Sequence, residues 1–213
     1  MFKRVFIELK EHAPFTFMGA LSGILLFFFL KNVSHEALFK LFYIFHPLHV
    51  LLSAFITTSM YKLHKSKPNM IKLFLIGYFG SIVVATLSDS IFPFIGETLL
   101  HFPHKELHLG FIEKWYIVNP LAILGILLAM KKPSTKFPHS AHILVSTWAT
   151  LFNMMMALSG VYISAAIYFE VTFLLFLSVW IPCCFSDIVF PILFIKGHDI
   201  DCPCHKHETT AKV

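Results

Sequence analysis

Apolar stretches long enough to cross a bilayer recur along this chain, and no other feature constrains its fold as much. A helix rising 1.5 Å per residue needs about 20 mainly apolar residues to span the hydrocarbon, with roughly 17 to 25 as the range. This criterion predicts about six spans in the 213 residues, near 14–30, 41–61, 71–95, 115–130, 139–163 and 168–195. Hydrophobic residues make up 57% and charged residues 14%, and the mean hydropathy is +0.74. Soluble domains are about a quarter charged, so the polar surface here is too small to cover a water-soluble globule. The chain reads as an all-α polytopic membrane protein whose first partner is the lipid bilayer. Four cysteines, two of them adjacent at Cys183 and Cys184 in an apolar run, exclude a secreted disulfide scaffold. The net charge of +5 sits at the ends of apolar segments rather than in one stripe, which excludes nucleic acid as a partner.

Those positive residues predict orientation. Lys3, Arg4 and Lys10 precede the first span, Lys62, Lys65, Lys67 and Lys72 separate the second from the third, and Lys131, Lys132 and Lys136 separate the fourth from the fifth. All three clusters fall on one side. The other connections carry Lys31, Glu36 and Lys40, then Glu97, Glu106 and Glu113, then Glu170. Both termini are therefore expected in the cytoplasm, with the chain in the cytoplasmic (inner) membrane. In residues 1–13, Glu8, Glu11 and the lack of a small-residue cleavage site favour a retained amphipathic lead-in at the interface over a cleavable signal.

Two motifs recur in the same order. His46-Pro-Leu-His49-Val-Leu-Leu-Ser53 returns as His139-Ser-Ala-His142-Ile-Leu-Val-Ser146, and Thr57 and Thr150 continue the match. Ser88-Asp89-Ser-Ile-Phe92-Pro93 returns as Ser186-Asp187-Ile-Val-Phe190-Pro191. A looser match joins Gly23 to Leu26 with Gly125 to Leu128, and two apolar helices can show that by chance. A three-span repeat has an odd number of crossings, so its second copy enters from the opposite side of the membrane. The expected architecture is two inverted three-helix repeats, 14–97 and 115–195, joined by a His-rich external connection at 98–114 and followed by a Cys/His-rich cytoplasmic tail at 196–213. Inverted repeats of this kind characterise many secondary transporters.

On a helix turning 100° per residue, His46, His49, Ser53 and Thr57 share one face, and so do His139, His142, Ser146 and Thr150, with Asn153 extending the second stripe. Ser and Thr commonly serve only to pack membrane helices, but paired histidines in both copies point to more. Asp89 and Asp187 fall inside spans, where an ionisable residue is costly and signals function. Each precedes a proline by four residues, and Pro93 and Pro191 have no N–H to give the carbonyls of those aspartates. Each Asp thus offers a carboxylate and, if the helix continues, a freed backbone oxygen that protein, water or an ion must meet.

His46, His49, Asp89, His139, His142 and Asp187 are the candidate metal ligands, with Ser53, Thr57, Ser146, Thr150 and Asn153 lining a route. Imidazole and carboxylate suit a divalent transition metal such as Zn²⁺, Mn²⁺ or Fe²⁺. Cys183, four residues before Asp187, and Cys184 beside it would favour a softer ion, though buried Cys is often a small hydrophobe. Accessory candidates are His101, His104 and His108 in the connection and Cys202, Cys204, His205 and His207 in the tail. The two half-sites either converge on one central site or stay separate.

The Ser-Asp-x-x-Phe-Pro repeats, the Phe-Pro-His-x-x-His-x-x-x-Ser-Thr-Trp segment at 137–148 and the Pro-Cys-Cys run resemble families described as manganese transporters or heavy-metal exporters of the cytoplasmic membrane. The resemblance implies metal transport. Those families are longer, with more spans, which makes this chain a short form or half of an assembly. Six spans around a cavity also suggest a homodimer. The alternatives are an intramembrane zinc hydrolase acting on a lipid or lipid-linked substrate and a membrane sensor or assembly factor that binds metal without moving it. The sequence has neither HExxH nor Gly-x-Ser-x-Gly, and duplicated sites favour transport because catalysis needs one.

Overall fold

The computed structural model describes residues 2–65, 68–134, 136–185 and 190–194. Among them the chain is helical and contains no strand. Helix α1 (Phe2–Leu30) runs without interruption through Pro14, so the lead-in and the first span are one rod. Helix α2 (His35–His64) begins where the Ser34 side chain accepts from the Ala37 N–H. Helix α3 (Met70–Thr86) begins where Asn69 accepts from the N–H groups of Ile71 and Lys72. Each cap satisfies donors that a helix start leaves unpaired.

From α3 the chain widens into a π-turn, Leu87–Ile91, and continues as α4 (Phe92–Leu99). The Phe92 N–H bonds back to the Leu87 carbonyl, five residues earlier. The missing N–H of Pro93 accounts for the disturbance, because an α-helix needs that group for the carbonyl of Asp89. A short helix, α5 (Gly110–Glu113), leads to α6 (Trp115–Lys131), α7 (Lys136–Ala157), α8 (Ala165–Cys184) and a last turn, α9 (Phe190–Leu193). Helix α7 stops at Ala157, short of the expected 163. Gly160 lies just beyond at φ 77°, a left-handed conformation that glycine adopts freely and that marks helix ends.

Among the described residues, four stretches are long and apolar enough to cross a membrane, where the sequence reading expects six: Ala13–Leu30, His35–His64, Met70–Leu99 and Ala165–Cys183. The apolar α6 is shorter, at 17 residues, and α7 carries the buried polar series His142, Ser146, Thr147, Thr150 and Asn153. The outward surface is apolar. Ile71, Leu75, Phe79 and Val83 form an exposed i, i+4 stripe on α3, while the polar face of α2 is buried. Hydrophobic outside and polar inside suits a lipid environment.

Helix α2 is central and packs against α7, α6 and α3. Helix α7 packs in turn against α2, α1 and α8, and the pairs α1–α8 and α3–α6 complete the bundle. Two glycines of the looser sequence match allow close approaches between helices. A Cβ on Gly125 of α6 would meet the Leu51 carbonyl oxygen and come within 3.0 Å of Ala54 Cβ on α2. A Cβ on Gly23 of α1 would lie 2.8 Å from Leu175 Cδ2 and 3.3 Å from Thr147 Cγ2 on α7. Ala54 and Thr147 have the same 93-residue separation as His49 and His142, so the loosely matched glycines contact corresponding positions.

Candidate metal centre

The polar face of α2 meets the polar face of α7 across the π-turn. His46, His49, Ser53, Asp89, His142, Ser146 and Thr150 are all fully buried. The Asp89 carboxylate sits at the centre. Its Oδ2 accepts from His46 Nδ1 at 2.9 Å and from His49 Nδ1 at 2.7 Å. Its Oδ1 accepts from Ser88 Oγ, from Ser146 Oγ at 3.3 Å and from Thr150 Oγ1 at 3.3 Å. Taking a carboxylate out of water costs several kcal/mol even after relaxation, on the order of what good hydrogen bonds can return. Five donors make this position tenable.

The backbone oxygen freed by Pro93 is met as well. Asn153 Nδ2 donates to the Asp89 carbonyl at 2.9 Å, and Thr150 Oγ1, whose one proton is shared with Asp89 Oδ1, lies 3.3 Å from the Ser88 carbonyl. The π-turn in one half of the molecule is thereby tied to the α7 stripe in the other.

His49 and His142, corresponding residues of the recurring motif, meet with their Nε2 atoms 2.8 Å apart and their rings 4.6 Å apart between centroids. The hydrogen-bond partners assign the tautomer. With its Nδ1–H given to Asp89, a neutral His49 carries its lone pair on Nε2, so His142 Nε2–H donates across the gap. Cys183 completes a triangle: ligand atoms of His49, His142 and Cys183 all lie within 4.8 Å of one another. The thiol also contacts Ser146 Oγ at 3.5 Å.

Two imidazole nitrogens on one tetrahedral Zn²⁺ stand about 3.3 Å apart, given Zn–N bonds of about 2.0–2.1 Å. The observed 2.8 Å therefore needs to widen by only about half an ångström. Asp89, expected as a ligand, serves here as a hydrogen-bond acceptor. Both its oxygens are occupied by donors, and it holds imidazole Nδ1–H groups so that Nε2 faces away, the carboxylate–histidine arrangement that orients metal-binding rings.

Of the sequence candidates, His46, His49, Asp89, His142, Ser146, Thr150, Asn153 and Cys183 come together here. Ser53 is buried on the same α2 face, and Thr57 Cγ2 lies against Gly80 of α3. His139 lies on α7 and Cys184 on α8, but their side chains are outside the described residues, as are Asp187 and the tail residues Cys202, Cys204, His205 and His207. The connection histidines do not gather. His101 and His104 are exposed, whereas His108 is turned inward, with Nδ1 3.3 Å from Glu113 Oε2. Among the described residues, His49, His142 and Cys183 are the group of three that converges.

A second polar cluster is absent from the sequence reading. Tyr43 Oη donates to Glu113 Oε2, and the Leu109 N–H donates to Glu113 Oε1 at 2.8 Å. Burial alone would raise the Glu113 carboxyl, but these bonds and the adjacent His108 together hold it below its ordinary value. Ser88 was legible as part of the recurring Ser-Asp motif. Gly110, which lies on the His46 ring, carries no local signal.

Fold and site together define an all-helical, membrane-compatible protein with a buried imidazole–carboxylate–thiol cluster between its two halves. No family model, curated protein or solved structure matches the chain.

Proposed function

We propose that this chain is an inverted-repeat membrane transporter that carries a divalent transition-metal ion through the His49–His142–Cys183 cluster. The carrying observation is that corresponding histidines of the two motif copies meet Nε2 to Nε2 inside the bundle. In this reading α1, α2 and α3–α4 form one repeat and α6, α7 and α8–α9 the other, with both termini cytoplasmic. The packing supports the pairing: exchanging the copies turns α2–α6 into α7–α1, α2–α3 into α7–α8 and α1–α8 into α6–α3, all of which are contacts in the bundle. The family resemblance of the Ser-Asp-x-x-Phe-Pro and Phe-Pro-His segments points the same way.

Two imidazoles and a thiol favour Zn²⁺ over the harder Mn²⁺. An ion binding there must displace the proton between the two Nε2 atoms, because ligands bind metal through free lone pairs. That requirement makes proton countermovement the natural coupling. Complete burial suits an occluded transport intermediate better than a hydrolase, whose lipid substrate needs an open face.

The test is flux. Purified protein in sealed liposomes with a zinc-sensitive dye inside should admit Zn²⁺ faster than empty liposomes do. His142→Gln should reduce entry to background. Asp89→Asn should lower it by about 10- to 100-fold, the usual loss when a ligating histidine loses its carboxylate partner. Undiminished flux in folded His142→Gln protein would refute the assignment.

A further inference from the structure

Asp89 aims two imidazoles in different directions. His49 Nε2 faces His142, whereas His46, also held through Nδ1, presents its Nε2 elsewhere. That nitrogen is fully buried and has no hydrogen-bond partner. Gly110 lies on it: a Cβ there would be 2.5 Å from both Nε2 and Cδ2 of His46. Any other residue at 110 would force the ring or the turn to move. The stacked Phe42 ring, 5.2 Å away between centroids and tilted by 11°, covers another side of the imidazole.

Gly110 opens the short helix α5, which is fastened at its far end. Glu113 accepts from Tyr43 of α2, from the Leu109 N–H and from His108. Phe111 packs against the apolar cluster of Val50, Ile82, Ala85, Val118 and Ala122. Glu113 and Glu106, which both face His108, have side chains 36% and 61% exposed, so this carboxylate cluster reaches the surface, where Lys114 lies over the Tyr43 ring. The turn therefore separates the exterior from a buried, unpaired nitrogen lone pair. Leaving such a group unsatisfied is unfavourable, and lifting the turn would relieve it.

We propose that Gly110–Glu113 is the outer gate of the bundle, latched by Glu113, and that His46 Nε2 is the first nitrogen a divalent metal ion meets when the gate opens. The identity of the ion rests on the transport reading above. The gate does not.

Diethyl pyrocarbonate attacks the free lone pair of an imidazole, and peptide mass spectrometry locates the product. In the full-length protein in liposomes, exposed His101 and His104 should react while His46 and His142 resist. Glu113→Ala should raise His46 labelling by about tenfold, the effect of losing one charge-assisted hydrogen bond from the closing equilibrium, and leave His142 protected. Glu113→Gln, which keeps an acceptor for Tyr43, should fall between. Wild-type His46 reacting as readily as His104 would overturn the gate, and so would Glu113→Ala exposing His142 as much as His46. A gated His46 without Zn²⁺ flux would leave the gate standing and remove the transport reading. Flux with an ungated His46 would remove the gate alone.

Discussion

Replacing Asn153 with leucine tests whether the Pro93 defect in α3–α4 is repaired from across the bundle. Leucine has the same number and branching of side-chain heavy atoms as asparagine, so the change removes the Nδ2 donor to the Asp89 carbonyl without opening a cavity. The carbonyl is buried, and no N–H exists at position 93 to replace the lost partner. An unsatisfied buried acceptor costs about 1–3 kcal/mol, a factor of roughly 5 to 150 in the folding equilibrium at about 1.4 kcal/mol per tenfold. Reversible unfolding in mixed micelles, followed by circular dichroism, measures it. The decisive comparison is the same substitution in a Pro93→Ala background, where residue 93 regains its N–H. There Asn153→Leu should cost less by about 1 kcal/mol, a coupling typical of groups sharing one acceptor. Equal costs in the two backgrounds would refute the idea that Asn153 substitutes for the missing N–H.

Gly125→Ala should destabilise the fold by about 1–2 kcal/mol in thermal unfolding, because the new methyl meets the Leu51 backbone oxygen, which cannot rotate aside as a side chain would; unchanged stability would contradict the packing. Cys183→Ser should abolish the near-ultraviolet sulfur-to-metal absorption of the Co²⁺-loaded protein and weaken Co²⁺ binding, whereas a persisting band would place the thiolate ligand elsewhere. Glu113 is held below its ordinary value of 4.5, so its bonds contribute fully at neutral pH and are lost as the pH falls through the lowered value. Hydrogen exchange of the 109–114 amides, corrected for intrinsic rates, should accelerate at that acid limb, and Glu113→Gln should remove the dependence.

The helical faces were legible because they depend only on the 100° turn. Positions 46, 49, 53 and 57 are buried together on α2, and 142, 146 and 150 on α7. The four-residue step from Asp89 to Pro93 also foretold a freed carbonyl. What met that carbonyl was a tertiary matter: Asn153 is 64 residues away, and its stripe position announced burial but no partner. The occupancy of Asp89, whose two oxygens accept from five donors, was hidden for a related reason. A sequence names the groups able to bind metal but does not say which lone pairs other donors already occupy. His101, His104 and His108 are close in sequence, but the chain from 101 to 109 is not helical, so closeness along the chain does not bring their rings together. Gly110 was invisible because its role is set by the His46 ring above it. The Gly23 and Gly125 match shows the reverse case, a weak pattern whose contacts turn out to correspond.

The contact between His49 and His142 has a sense as well as a length. Two chemically identical nitrogens cannot play the same part in one hydrogen bond, since one must give the proton and the other receive it. Two recurring motifs therefore become unequal at the point where they touch, and the location of a single proton records which of the two is the giver. Moving that proton to His49 would require His49 to pass its Nδ1 proton to Asp89 and His142 to take one up at Nδ1, so the direction of the junction is tied to the carboxylate.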